Sequence, residues 1–354
     1  MISVKKMLAL IKAEAGPGLR MEETPVPDPG RGEAVVRVEA TSVCGTDLHI
    51  YRWDEWAQGR IRAPRVIGHE FCGTVVAING HRSGIREGDY VSAEGHISCG
   101  DCFHCLTGQA HICDRVDLLG VDVNGCFAEY AAVPAANLWK LDPGIPREVG
   151  AIHDPLGNAV HTALSADLPG RSVAITGCGS IGLFAVAICK KAGASYIVAT
   201  DISDTRLELA RKLGANLAIN VSREDPVPQA KAATDGLGVE VLLEMSGFPQ
   251  AIYQGFAMLR GGGTACLLGI PSRPVEIDLT RDIIFKAATV KGINGRRMFA
   301  TWYQMTALLK SGLDVSSVIT HRLPMASYEE AFDLLGAGKS GKIVFWPNGA
   351  AALA

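Results

Sequence analysis

From residue 172 the chain alternates between short apolar runs and amphipathic segments: "SVAIT", "GCGSIG", "LFAVAICKKAG", "YIVATD", "TRLELARKLGA" and "LAINV", with "VEVLLEMSG", "GTACLLGIP" and "TVKGING" further on. Strands that recur with a helix between them can pair only in parallel, so this half must form a doubly wound parallel sheet covered by helices on both faces. Gly177, Gly179 and Gly182 form a G-x-G-x-x-G that follows a strand and opens a helix, the context that makes this motif specific. The first glycine permits a tight turn and the second lets the backbone approach a pyrophosphate. The third lets helix and strand pack closely, and the helix N-terminus supplies amide donors. Asp201 ends the next strand, 19 residues after Gly182. A carboxylate there accepts hydrogen bonds from an adenosine ribose and repels a 2′-phosphate, which favours NAD over NADP. Arg206 either reaches the adenosine side or pairs with acids such as Glu208 on a solvated helix. Cys178, inside the turn, reads as a small filler.

A length of 354 residues suggests two domains. The 48% hydrophobic and 20% charged residues are those of a globular, water-facing protein, and a net charge of −3 with pI near 6.3 provides no field for nucleic acid. The start "MISVKKMLALIKAEAG" resembles a signal peptide only until Lys12 ends its apolar run. "IGLFAVAIC" falls short of the ~18 residues of a membrane span. A cytoplasmic, membrane-free protein is expected.

Ten cysteines in a chain of this kind do not make a disulfide scaffold. Four of them, Cys99, Cys102, Cys105 and Cys113, fall in "SCGDCFHCLTGQAHIC" with the spacing C-x2-C-x2-C-x7-C, among glycines and polar residues that let the segment curl. A tetrahedral sulfur cage suits zinc, and with no vacant position it is structural. The alternatives are an iron–sulfur cluster, whose ferredoxin-type spacing differs, and scattered reduced thiols without metal.

A second constellation joins Cys44, at the end of the strand-like "AVVRVEATSV", to His69 and Glu70 in "VIGHEFCGTVV". One thiolate, one imidazole and one carboxylate are the donors of a zinc that keeps a position open for substrate. Thr46 and His49 lie two and five residues beyond Cys44, close enough on a helical turn to carry a proton away. Their plainer readings are a helix cap and a surface histidine. Asp154 in "HDPLGNAVHTAL" is either a further metal or outer ligand or a helix N-cap.

Together with "CGTDLHIYRWDEW", "EGHISCGDCFHC", "GRRMFATWYQM" and "ITHR", these motifs make the chain resemble the zinc-dependent medium-chain alcohol dehydrogenase family over nearly its whole length. The resemblance implies an α/β architecture: a mostly-β GroES-like catalytic domain in residues 1–157, a Rossmann domain in 158–301, and a return segment, 302–354, that completes the first. It also implies NAD, one catalytic and one structural zinc per subunit, a homotetramer, and oxidation of a secondary alcohol of a small-molecule substrate. By the same likeness Cys44, His69 and Glu70 are the catalytic zinc ligands, Asp154 influences that site, and Thr46 and His49 form the relay. His96 bears on substrate choice. Ile181, Asp201, Arg206, Leu268, Gly269, Ile270, Ile293 and Asn294 contact the cofactor. Asn79 stands where the family usually has a small residue, a position asparagine tolerates if the turn needs a positive φ. A polyol or 2,3-diol substrate meets the same electronic demands, and a non-catalytic NAD-binding sensor is the reading from another class.

Overall fold

The computed structural model describes residues 5–80 and 84–349, so residues 1–4 of the signal-like start lie outside it. It divides into two compact units. The first comprises the residues up to Asp154 and those from Ile319 onward; the second is Pro155–Val318.

The first unit is built on a seven-stranded sheet. The apolar run expected as a strand forms Glu33–Ser42, which buries Val36, Val38 and Ala40 completely. It pairs antiparallel with Glu70–Asn79, Tyr130–Pro134 and the C-terminal strand Lys342–Trp346. The chain's end is therefore part of this sheet, and its Phe345 packs in one cluster with Phe71, Val91, Phe127 and Phe332. The registers bring three strands together at one residue: Ser42 stands opposite Glu70 on one neighbour and opposite Val344 on the other. Asn79 ends its strand without a positive φ, and its side-chain amide donates to the carbonyl of Pro29 at 3.1 Å.

In the second unit six strands run parallel in the order Leu217–Asn220, Tyr196–Asp201, Ser172–Thr176, Val239–Glu244, Leu259–Leu267, Thr289–Gly292. Strand order reverses at Ser172–Thr176, the topological switch point at which such sheets bind ligands. The glycine motif follows that strand, and the helix Ser180–Lys191 after it is buried from Gly182 to Cys189.

The first division lies close to the expected 157/158, but the return begins at Ile319 rather than at residue 302. The reason is packing. The helix Ala300–Lys310 buries Trp302 and Met305 fully, Lys191 Nζ donates to the carbonyl of Ser311 at 2.5 Å, and the turn Ser316–Val318 sits against the helices Ser180–Lys191 and Asp204–Leu213. All of these partners belong to the second unit.

Candidate active site

Cys44 is the N-cap of the helix Gly45–Arg52, and its own amide donates to Asp47 Oδ2 at 2.9 Å. Cap geometry therefore fixes the thiol, and Thr46 is not the cap: it lies in the first turn with its hydroxyl 3.8 Å from Cys44 Sγ. His69 and Glu70 enter the next strand through Gly68, whose φ is +87°. A Cβ there would lie 2.2 Å from the Phe127 ring, so no other residue fits without displacing the core. Pairing of that strand with Glu33–Ser42 brings the three donors together: one ligand atom each from Cys44, His69 and Glu70 lies within 4.8 Å of the others.

This pocket is rich in acid. Asp47 is fully buried, with Oδ1 3.7 Å from His69 Nδ1; burial pushes its carboxyl up to about 6, against the opposing pull of His69. Burial by itself would depress the His69 imidazole, but Asp47, Cys44 and Glu70 push it up to about 10. Glu70 is 1% exposed. Its Oε2 accepts from the Ser42 hydroxyl and from Lys342 Nζ at 2.5 Å, whereas Oε1, 4.0 Å from His69 Nε2, is buried with no hydrogen-bond partner. Burial works against the Lys342 ammonium, yet Glu70, Cys44 and Asp47 raise its pKa. A buried carboxylate oxygen left unpaired beside an imidazole and a thiol is costly unless a cation meets it. The donor set fits zinc with an open position.

Asp154 comes near the same pocket: a Cβ on Gly95 would lie 3.1 Å from Asp154 Oδ2 and 3.8 Å from His69 Cβ. It stays outside the three-donor group, and it is not an N-cap, because its helix begins one residue earlier at His153. His49 shares a helix face with Thr46, is exposed, and its Nδ1 pairs with Asp54. His96 Nδ1 lies 3.1 Å from Glu94 Oε1, which also accepts the His96 amide at 3.0 Å; Glu94 is buried.

The four lobe cysteines are all reduced. Their sulfurs lie 3.4 Å (Cys99–Cys113), 3.5 Å (Cys102–Cys105), 3.8 Å (Cys102–Cys113) and 3.9 Å (Cys99–Cys105) apart. Zinc–sulfur bonds of about 2.3 Å in a tetrahedron require edges of about 3.8 Å, so the cage is the size of a single zinc ion rather than a multi-iron cluster. The amides of Cys99 and Arg115 both donate to Cys113 Sγ at 3.3 Å, the outer hydrogen bonds that accompany a metal ligand.

In the second unit Gly177 has φ +90° and a Cβ there would meet Ser246 Cβ at 2.8 Å; a Cβ on Gly182 would lie 1.9 Å from the Gly177 carbonyl oxygen. Gly179 faces open space. Asp201 does more than the spacing suggests: Oδ2 accepts from the Cys178 amide at 2.7 Å and Oδ1 from the Ser203 amide at 2.8 Å, bracing the glycine turn itself. Cys178 is fully buried, a filler as expected. Ile181, Arg206 and Ile293 are partly buried, while Ile270 and Asn294 are exposed. The Leu268 and Gly269 amides donate to the Glu244 carbonyl at 2.9 and 3.1 Å. The buried Glu244 carboxylate also accepts from the Ser246 and Gly247 amides. Sequence reasoning missed Ser42, Asp47, Glu94, Glu244 and Lys342. Of these, Asp47 alone left a local signal, an acid three residues after a cap position.

Residues 30–143 match the alcohol dehydrogenase GroES-like domain, and residues 180–311 match the zinc-binding dehydrogenase domain. The chain is 48% identical over 342 residues to the L-threonine 3-dehydrogenase of Bacillus licheniformis, covering 96% of this chain and 99% of that protein. It is 50% identical to that of Bacillus velezensis, covering 97% and 99%, and 48% identical to that of Pyrococcus horikoshii, covering 96% and 99%. Among solved structures, an alcohol dehydrogenase from Thermus sp. ATN1 superposes with TM-score 0.85 at 30% identity, covering 96% of this chain and 99% of that one. One from Escherichia coli CFT073 complexed with NADH gives 0.87 at 26%, covering 97% and 100%.

Proposed function

Because the chain belongs to the zinc-dependent medium-chain alcohol dehydrogenase family, we propose that it oxidises the secondary hydroxyl of L-threonine with NAD, giving 2-amino-3-oxobutanoate and NADH. The observation that carries the substrate is the near-full-length likeness to L-threonine 3-dehydrogenases. The chemistry is supported by the gathering of partly buried Cys44 and His69 with buried Glu70, whose Oε1 is unpaired.

Cys44, His69 and Glu70 would hold the catalytic zinc and the four lobe cysteines the structural one. When bound, the catalytic zinc would supply a Lewis acid that lowers the pKa of the substrate alcohol, and NAD would supply the hydride acceptor. The chain's own residues handle the proton. Thr46, beside Cys44, accepts it from the substrate hydroxyl while giving up its own hydroxyl proton, and His49, on the same helix face and oriented by Asp54, releases a proton to solvent. Glu94 fixes His96, which bears on substrate choice. The amides of the Gly177–Gly182 turn would hold the cofactor pyrophosphate and Asp201 the adenosine ribose, with Ile181, Arg206, Leu268–Ile270, Ile293 and Asn294 as its further contacts.

We place the enzyme in the cytoplasm; among the described residues no helix is long and apolar enough to cross a membrane. The proposed homotetramer rests on the family likeness; the exposed strand Thr289–Gly292, with Ile284 at the end of the preceding helix and Phe285 after it also exposed, offers a surface for self-association. Purified protein with NAD should form NADH on L-threonine with a higher kcat/KM than on sorbitol or 2,3-butanediol. The reverse order would reassign it as a polyol or diol dehydrogenase, and no NADH from any alcohol would leave the non-catalytic sensor.

A further inference from the structure

A lysine that is 2% exposed requires an explanation, because burying an ammonium costs several kcal/mol unless a partner meets it. Lys342 begins the last strand of the first unit. That strand lies beside Glu33–Ser42, which lies beside Glu70–Asn79, and the registers converge on Ser42. Three segments remote in the chain thus deliver an ammonium, a hydroxyl and a carboxylate to one point. There Lys342 and Ser42 both engage Glu70 Oε2, and the buried Oε1 is left without a partner on the side of His69 Nε2.

We propose that Lys342 and Ser42 act as a clamp that positions Glu70 for the metal, holding one carboxylate oxygen so that the other is presented to the ion. This rests on the assignment of Cys44, His69 and Glu70 as the zinc site. The clamp also balances charge. Cys44, Asp47 and Glu70 bring acidic groups into one pocket, with Asp154 near it, and the ammonium offsets part of that charge. Its contact is with Oε2, leaving Oε1 as the oxygen open to a metal. A salt bridge that only stapled the sheet would have no reason to leave Oε1 unpaired.

Outer partners of metal ligands typically tune affinity by 10- to 100-fold. The test measures zinc per chain in the full-length protein dialysed against rising chelator, alongside thermal melting, for wild type, Lys342→Met and Ser42→Ala. The visible spectrum of cobalt(II)-exchanged protein distinguishes the one-sulfur site from the four-sulfur lobe. Wild type should hold two equivalents. Lys342→Met should surrender one of them at roughly 10- to 100-fold less chelator, with the one-sulfur cobalt bands shifted and the four-sulfur bands unchanged. Ser42→Ala should show a smaller loss in the same direction, and it decides the matter if Lys342→Met does not fold. Retention of both equivalents at the wild-type chelator concentration would overturn the clamp, as would parallel loss of both with melting. If wild type itself holds only the four-sulfur equivalent, the zinc-site assignment fails instead.

Discussion

Gly179 and Gly182 belong to the same motif, yet the structure assigns them separable tasks, and alanine at each should show it. Gly179 has φ −60° and ψ 179°, a conformation any residue adopts, and a Cβ there meets nothing within 4 Å. Gly179→Ala should therefore leave the ligand-free protein as stable as wild type. The new methyl would occupy the space through which a pyrophosphate approaches the helix N-terminus, at the cost of one charge-assisted hydrogen bond of about 1.5–3 kcal/mol. At about 1.4 kcal/mol per decade that is roughly a 10- to 150-fold rise in the Kd for NAD. Gly182 is the opposite case. Its Cβ would lie 1.9 Å from the Gly177 carbonyl oxygen and 3.0 Å from its carbon, both backbone, so the helix Ser180–Lys191 must move off its strand. Overpacking of this kind costs about 1–3 kcal/mol. At about 2–4 °C per kcal/mol for a unit of this size, ligand-free melting should fall by roughly 2–12 °C. Titration with NAD and ligand-free melting, run on both variants, separate the two effects. Wild-type NAD affinity in Gly179→Ala, or a fall in its ligand-free melting equal to that of Gly182→Ala, would refute the reasoning.

Cys44→Ser should abolish NADH formation with little change in melting, whereas Cys99→Ser should first lower melting by opening the sulfur cage. Equal activity loss with unchanged melting in both would contradict that division. Asp201→Asn should weaken NAD more than NADP in paired titrations. Because the Asp201 carboxylate also accepts the Cys178 and Ser203 amides, the alanine variant should in addition lower ligand-free melting. His153 is fully buried, and burial pushes its imidazole down to about 4. The folded state thus keeps it neutral while the unfolded chain takes up a proton below about 6.5. Stability present above that pH is therefore lost as pH falls from about 6.5 towards 4, by up to roughly 3 kcal/mol. His153→Gln should flatten the acid limb of a melting-versus-pH curve; an unchanged slope there would contradict the burial argument.

How much of the fold and the site is legible in the chain depends on how far apart the cooperating residues lie. The lobe cysteines occupy one loop, so spacing alone implies a cage, and the sulfur separations have the size of one zinc ion. The glycine motif is equally local, and it stands at the strand-order reversal. Asp201 is half legible. Its distance from Gly182 points to ribose, but its hold on the Cys178 amide arises only because two parallel strands end side by side. The edge of the second unit is misplaced by sequence because a helical pattern after residue 301 does not say which sheet the helix will cover. That is decided by contacts such as Lys191 with Ser311, between segments far apart in sequence.

The two sulfur-bearing clusters show the same distinction in energetic terms. The lobe satisfies its sulfurs with backbone amides from its own loop and with Arg115, whose guanidinium donates to Cys99 Sγ at 3.4 Å while remaining exposed to water. Its charge is screened where it stands, and its assembly needs little besides the loop. In the Cys44, His69 and Glu70 cluster the carboxylate is buried, so Glu70 depends on groups delivered by the fold: Ser42 from one strand and Lys342 from the last. A site with an open position must be partly dry for a Lewis acid to act strongly on an alcohol, and dryness is what makes an unbalanced carboxylate expensive. On the proposed reading, activation of the substrate and dependence on a distant lysine are thus two consequences of the burial of Glu70.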